Sequence, residues 1–317
     1  MNIKILVKAN MIITLFVFIG NYFYQSLGFN YTLKIMCSSG FALMGIMNMI
    51  YANKTVKDKR ILLFMVLGLV FAFLGDVAIN PNFILGVIFF ALGHVFFVAS
   101  YLEYRRLNKL DVMLCVGLGG FSVGFILLFP YIIFAVQVLK YVVLIYAVII
   151  SVMVGKSVGN AIHEGNVLTE MIALGSILFF ISDMMLLLAW FSTIERRWTS
   201  NVCMAAYYPA LCLLAGSMVL YINKNEKSTD CGEDVIARIK QMEKYFDIVQ
   251  DKKELYDDVE IRKMIETLKN YQESGQWLKD FECEEQGMLP IDLKRGVLSE
   301  DGLYNLLYEV EHLSTSK

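Results

Sequence analysis

The chain is poor in the side chains that metal centres and nucleic-acid surfaces are built from. Its 317 residues include three histidines, four prolines and six cysteines, and only 18% are charged. Three dispersed histidines (His94, His163, His312) and the lack of any C-x-x-C pair exclude a His-rich or zinc-ribbon centre, so no metal and no cofactor is expected. Low charge without a basic excess excludes a nucleic-acid partner and a disordered chain. The GKSVG at 155–159 is not a phosphate loop, which needs G-x-x-x-x-G-K-[ST] between a strand and a helix. The first apolar run follows Lys4 and Lys8 as a signal peptide would. It lacks a small-residue cleavage site and more runs follow, so it reads as a membrane span.

What is abundant is apolar. Hydrophobic residues make up 57% and mean hydropathy is +0.56, against about 45–50% apolar in a soluble domain. Eight runs are long enough for the roughly 20 helical residues that cross a bilayer: about 9–28, 31–52, 61–80, 82–104, 111–129, 132–155, 167–191 and 200–222. No barrel-type alternation is visible, so the expected class is all-α. Basic residues of the short connections fall on one side: Lys4 and Lys8, then Lys54, Lys57, Lys59 and Arg60, then Arg105, Arg106 and Lys109, then Lys156, then Lys224 and Lys227. Only Arg196 and Arg197 dissent, which predicts cytoplasmic N- and C-termini.

Charge divides the chain. Residues 1–224 carry 15 basic and 8 acidic side chains, residues 225–317 carry 13 and 22. Such asymmetry marks two environments, with a membrane domain over 1–224, a polar linker over 225–232 and a small soluble helical domain over 233–317. In the tail, Val235, Ile236, Ile239, Met242, Phe246 and Val249 form one helical stripe. A second helix is expected over about 252–272. Ser299, before Glu300 and Asp301, reads as the N-cap of a last helix carrying Leu303, Leu306, Leu307 and Val310. The tail shows no catalytic constellation.

Two carboxylates lie well inside apolar runs, Asp76 in FAFLGDVAI and Asp183 in LFFISDMML. They recur at an offset of 107 residues, and Lys34 and Lys140 recur at 106, which suggests a duplicated four-helix unit with parallel halves. Coincidence is the alternative. An aspartate in mid-span costs about 2.5–3.5 kcal/mol on insertion scales, so both should face a polar interior. A purely structural hydrogen bond or Lys–Asp pair would satisfy one; two in matching places point to a site. Tyr207 and Tyr208 enter the last span from the same side, reaching the level of Asp183. His94 lies deeper than Asp76, as a pocket floor or proton relay, or as a histidine hydrogen-bonded to a neighbouring carbonyl. In the fifth span, Gly120-x-x-x-Gly124 would allow close helix approach.

These elements, LGDVAI (74–79), GVIFFALGHVFFVASYL (86–102), GSILFFISDMMLLL (175–188) and AAYYPALCLLAG (205–216), resemble the YhhN family of lysoplasmalogenases. The resemblance covers residues 1–224 and assigns its polar signature to Asp76, His94, Asp183 and Tyr207, with Lys34 in the second span. Leu211 stands where an amide or imidazole often follows the tyrosine pair, and Pro209 interrupts that turn. The family implies an eight-helix membrane enzyme whose lysophospholipid substrate loses its vinyl-ether chain as a fatty aldehyde; the resemblance of the tail to a bacterial family implies the plasma membrane of a bacterium. Vinyl-ether hydrolysis needs an acid to protonate the alkene and a negative group for the resulting cation, roles that paired carboxylates divide in glycosidases. Asp76 and Asp183 could divide them, with His94 in support. Lys34 and Lys140 would hold the substrate phosphate, with Tyr207 and Tyr208 beside them. The residues also suit a proton-coupled transporter or a lipid flippase. Residues 274–307 resemble a bacterial family of small helical domains of no known activity, which implies an accessory role and a cytosolic protein partner.

Overall fold

The computed structural model describes residues 3–230, 232–285, 287–290, 292–299 and 301–315. Eight helices are long and apolar enough to cross a membrane: α1 (Ile3–Ser26), α2 (Tyr31–Thr55), α3 (Arg60–Ile79), α4 (Phe83–Tyr104), α5 (Lys109–Leu128), α6 (Gln137–Glu164), α7 (Val167–Phe191) and α8 (Arg196–Asp230). The protein is a multi-pass membrane protein with a helical C-terminal domain. Among the described residues there is no strand, only an isolated bridge between Ile132 and Ser192.

Asparagines set several of these starts. Asn30, Asn82, Asn108 and Asn166 each accept from a backbone N–H of the first turn of α2, α4, α5 and α7, satisfying donors that the helix itself leaves open. Two boundaries differ from the sequence reading. Residues 132–136 are not helical, because Ile133 N donates to the Phe191 carbonyl at 2.7 Å and ties this connection to the end of α7. Residues 225–230, read as linker, continue α8 as helix; Cys231 of the same stretch lies outside the described residues.

Small residues decide which helices pack tightly. A side chain at Gly68 would meet the Phe97 ring and one at Gly75 the Phe90 ring, so α3 and α4 lie in close contact. Gly175 of α7 faces Leu214 of α8 in the same way. Gly120 and Gly124 have nothing within 4 Å, so they do not make the close approach expected of them. The core lies along α2, α3, α4, α7 and α8. Outward residues such as Ile12, Val116 and Ile145 are large, apolar and exposed, as lipid-facing positions are.

The chain divides into two compact units, Met1–Asn223 and Lys224–Lys317. In the second, α9 (Glu233–Asp251), α10 (Val259–Glu273), α11 (Gln276–Glu285) and α12 (Gly302–Thr315) enclose a core that includes Ile239, Phe246, Leu268, Leu303 and Val310. α10 starts at Val259, later than expected, because a 3-10 turn (Lys253–Leu255) intervenes. The Ser299 hydroxyl donates back to the Gly296 carbonyl at 2.9 Å; Glu300, part of the expected cap, lies outside the described residues. Buried Asp280 accepts from Arg238 and Tyr271, and buried Glu243 accepts from Gly296 N and Val297 N. Cys283 is disulfide-bonded, a cross-link that the cysteine spacing did not suggest.

Candidate active site

Both intramembrane aspartates stand sixteen residues past the first residue of their helix, Asp76 on α3 and Asp183 on α7. Lys34 and Lys140 likewise stand three residues past the starts of α2 and α6. The registers match; the surroundings do not.

Asp76 is 1% exposed. Its Oδ1 lies 3.1 Å from Lys34 Nζ, an ion pair buried on both sides. Its Oδ2 accepts from Tyr207 Oη at 2.6 Å and lies 2.6 Å from Ser38 Oγ. Ser38 sits one turn after Lys34 on α2, with Oγ also 2.9 Å from the Lys34 carbonyl. A hydroxyl has one proton, so Ser38 serves one of these acceptors at a time. Tyr208 Oη reaches the Lys34 carbonyl at 3.3 Å. Tyr207 and Tyr208 of α8 therefore belong to the Asp76 cluster, not to Asp183, whose level they were expected to reach.

Asp183 has no lysine. Its Oδ2 accepts from Tyr146 Oη of α6 at 2.6 Å and lies 3.2 Å from His94 Nε2 of α4. His94 Nε2 and Tyr146 Oη are 2.8 Å apart, so three polar atoms from three helices close a triangle. The imidazole is fully buried, edge-on to Phe179, and its Nδ1 has no hydrogen-bond partner among the described residues. Phe179 joins the two clusters, its ring 4.7 Å from His94 and 5.4 Å from Tyr207.

Lys140 is half-buried at the start of α6 and joins neither cluster. Tyr146 takes the place next to Asp183 that matching registers would give to a lysine. Nothing in its sequence setting singled out Tyr146, one of 17 tyrosines. The membrane unit has a third buried carboxylate, Asp111. It caps α5 with Asn108 and accepts from Arg105 Nη2 at 2.6 Å and Lys156 Nζ at 2.7 Å. Its oxygens are fully engaged in holding the α4–α5 connection to α6, which is a structural use.

The α1–α2, α3–α4 and α7–α8 connections meet around a cleft of about 760 Å³ that reaches Lys34 and Cys203. Cys203 is one turn before Tyr207 on α8, and its Sγ lies 3.4 Å from Ser182 Oγ, next to Asp183. The cleft thus reaches the Asp76 cluster through Lys34. Among the described residues no group of three or more His, Cys, Asp or Glu could hold a metal ion.

Comparison with known proteins finds two family models. The model of the YhhN family matches residues 29–218, and a domain of unknown function (DUF4298) matches residues 233–316. No curated protein and no solved structure matches the chain. The first match covers more than half of the chain and every side chain of both aspartate clusters, and the chain belongs to the YhhN family.

Proposed function

We propose that this protein is an integral-membrane hydrolase that cleaves the vinyl-ether bond of a lysoplasmalogen into a fatty aldehyde and a glycerophospho-base. Members of the YhhN family are lysoplasmalogenases, and one observation carries the reading here: two buried carboxylates in matching registers, one paired to a fixed cation and the other to a titratable imidazole.

The reaction starts when a proton adds to the alkene carbon remote from the ether oxygen. Positive charge then develops on the carbon bonded to that oxygen, water adds there, and the hemiacetal releases the glycerol alcohol and leaves an aldehyde. Asp183, hydrogen-bonded to Tyr146 and beside His94, is the acid in this reading and supplies that proton. Asp76, held by Lys34, Ser38 and Tyr207, is the negative group that meets the cation. Fixed partners around it mean that little reorganisation accompanies the charge change. His94 Nδ1 remains available to accept from the attacking water. The apolar helices around the clusters take the alkenyl chain.

The membrane is the plasma membrane of a bacterium in this proposal, with both termini in the cytoplasm. There the acidic tail would meet a cytosolic protein. The test is the purified full-length protein in detergent, offered vinyl-ether, alkyl-ether and ester lysophospholipids in parallel. Aldehyde is expected from the vinyl ether alone. Folded protein that releases none would overturn the reading. Because the assay has no second compartment, aldehyde release also separates a hydrolase from a transporter or flippase.

A further inference from the structure

Sequence reasoning gave the substrate phosphate to Lys34 and Lys140. Lys34 instead has its charge matched by Asp76 at 3.1 Å, and Lys140 joins neither cluster. The cleft nevertheless carries two further cations, Arg196 and Arg197, at the start of α8. We infer that Arg196 and Arg197 form the head-group site of this cleft and take the phosphodiester of its lipid substrate.

Four observations carry this. No carboxylate lines the cleft, while Lys34, Arg196 and Arg197 all do. Neither arginine forms an ion pair among the described residues, so two positive charges stand uncompensated at the opening. Arg196 is held there by the Trp190 ring, 5.1 Å from its guanidinium carbon, a cation–π contact that positions the group without neutralising it. Finally, Arg196, Ser200, Cys203 and Tyr207 are spaced to fall on one face of α8. The first three line the cleft and the fourth donates to Asp76, so the stripe runs from the guanidinium toward the reacting groups over about 16 Å of helix. A phosphodiester at the opening would send the glycerol and the vinyl ether down this face. Guanidinium groups suit it better than an ammonium does, because their donors match two phosphate oxygens at once. The site also accounts for the two residues that broke the basic-residue pattern of the connections: at this end, the sequence of the connections themselves has no Lys or Arg.

The inference rests on the proposed reaction for its substrate, and its test separates the two. Full-length protein carrying Arg196→Gln and Arg197→Gln is compared with the unaltered protein on a 1-alkenyl-lysophosphoethanolamine and on the phosphate-free 1-alkenylglycerol of the same chain length. The ratio of kcat/KM between the two substrates should fall about 30-fold through the KM of the phospholipid, the scale of lost charge-assisted hydrogen bonds. The Lys pair, which keeps both charges, should give an intermediate ratio. Binding of an alkyl-ether lysophospholipid, which has no vinyl ether to cleave, should weaken by the same factor in the Gln pair. That arm needs no turnover, so absent aldehyde with a weakened binding response would end the reaction proposal and keep the site. Inorganic phosphate displaces the bound alkyl-ether lipid if the site accepts any phosphate and leaves it in place if the lipid is required; both outcomes support the site. An unchanged substrate ratio, unchanged binding of the alkyl-ether lipid, or a Lys pair as impaired as the Gln pair would overturn it.

Discussion

Asp76 and Asp183 hold the same place in their helices and keep different company. One has a lysine, a serine and a tyrosine from α2 and α8. The other has a histidine and a tyrosine from α4 and α6. Burial of an isolated charge in a bilayer-embedded bundle is expensive, and the two clusters meet that cost in two ways. The ammonium of Lys34 balances Asp76 with a fixed opposite charge. Asp183 has no fixed cation beside it and meets His94 Nε2 and Tyr146 Oη instead. Matching registers with unequal partners is the arrangement expected where one carboxylate stabilises charge and the other transfers a proton.

The sharpest way to break the comparison is to neutralise each acid in turn. Asp76→Asn and Asp183→Asn should each lower aldehyde release by at least about 100-fold, the low end for general acid–base catalysis. Yield and melting temperature should hold in Asp183→Asn, because a neutral amide is cheaper than a carboxylate inside a bilayer, and should fall in Asp76→Asn, which leaves the buried Lys34 ammonium without its anion. Normal turnover in either variant would assign the chemistry to the other carboxylate alone.

Lysine variants test the asymmetry through stability. Lys34→Met leaves Asp76 buried without its cation and should cost about 3–5 kcal/mol, read as a lower melting temperature and poorer yield. Lys140→Met should leave both unchanged. Equal losses would mean that the two lysines are more alike than their contacts are.

The tyrosines sharpen the division of roles. Tyr146→Phe and Tyr207→Phe each remove a hydrogen bond to a carboxylate, on the scale of about 1.5–3 kcal/mol. Tyr146→Phe should change the shape of the rate–pH profile, since its hydroxyl touches the carboxyl that is the acid in the proposed reaction. Tyr207→Phe should lower the rate and leave the shape alone. Profiles that change alike in both variants would place the proton in both clusters.

The smallest effects are expected from the tail. Residues 230–317 should express as a soluble helical domain, and residues 1–228 should retain aldehyde release. Burial, and then the Asp280 carboxylate, hold the Tyr271 phenol above its usual range. The neutral phenol is therefore the form that the fold favours. This contribution is complete below the unfolded value of about 10 and is lost as pH rises beyond it, so helicity of the isolated tail should fall in strong alkali. Loss of all activity from a well-folded truncation would instead make the tail part of the site.

Hydropathy and periodicity are local properties, and what depends on them was legible. The eight spans follow from apolar runs of bilayer length. The choice of Asp76 and Asp183 follows from the cost of a carboxylate within such a run, and the tail core follows from the stripe Val235–Ile239–Met242–Phe246–Val249. The start of α6 was misplaced because the apolar residues 132–136 satisfy a hydropathy window, although Ile133 bonds to the α7–α8 region. The Gly120–Gly124 motif was misjudged because a small residue permits a close approach and does not supply the neighbour.

By itself, then, the sequence determined eight membrane helices, a separate acidic helical unit, and two acids that must face a polar interior. Only the tertiary structure decided that Lys34 pairs with Asp76 while Lys140 stands aside, that His94 and an unheralded Tyr146 serve Asp183, and that Arg196 and Arg197 line the opening above Lys34. The physical reason is rotational. Each residue along a helix turns its side chain by about 100°, so partners across helices depend on the phase, tilt and depth of separate segments. Spacing within one segment carries no record of those quantities.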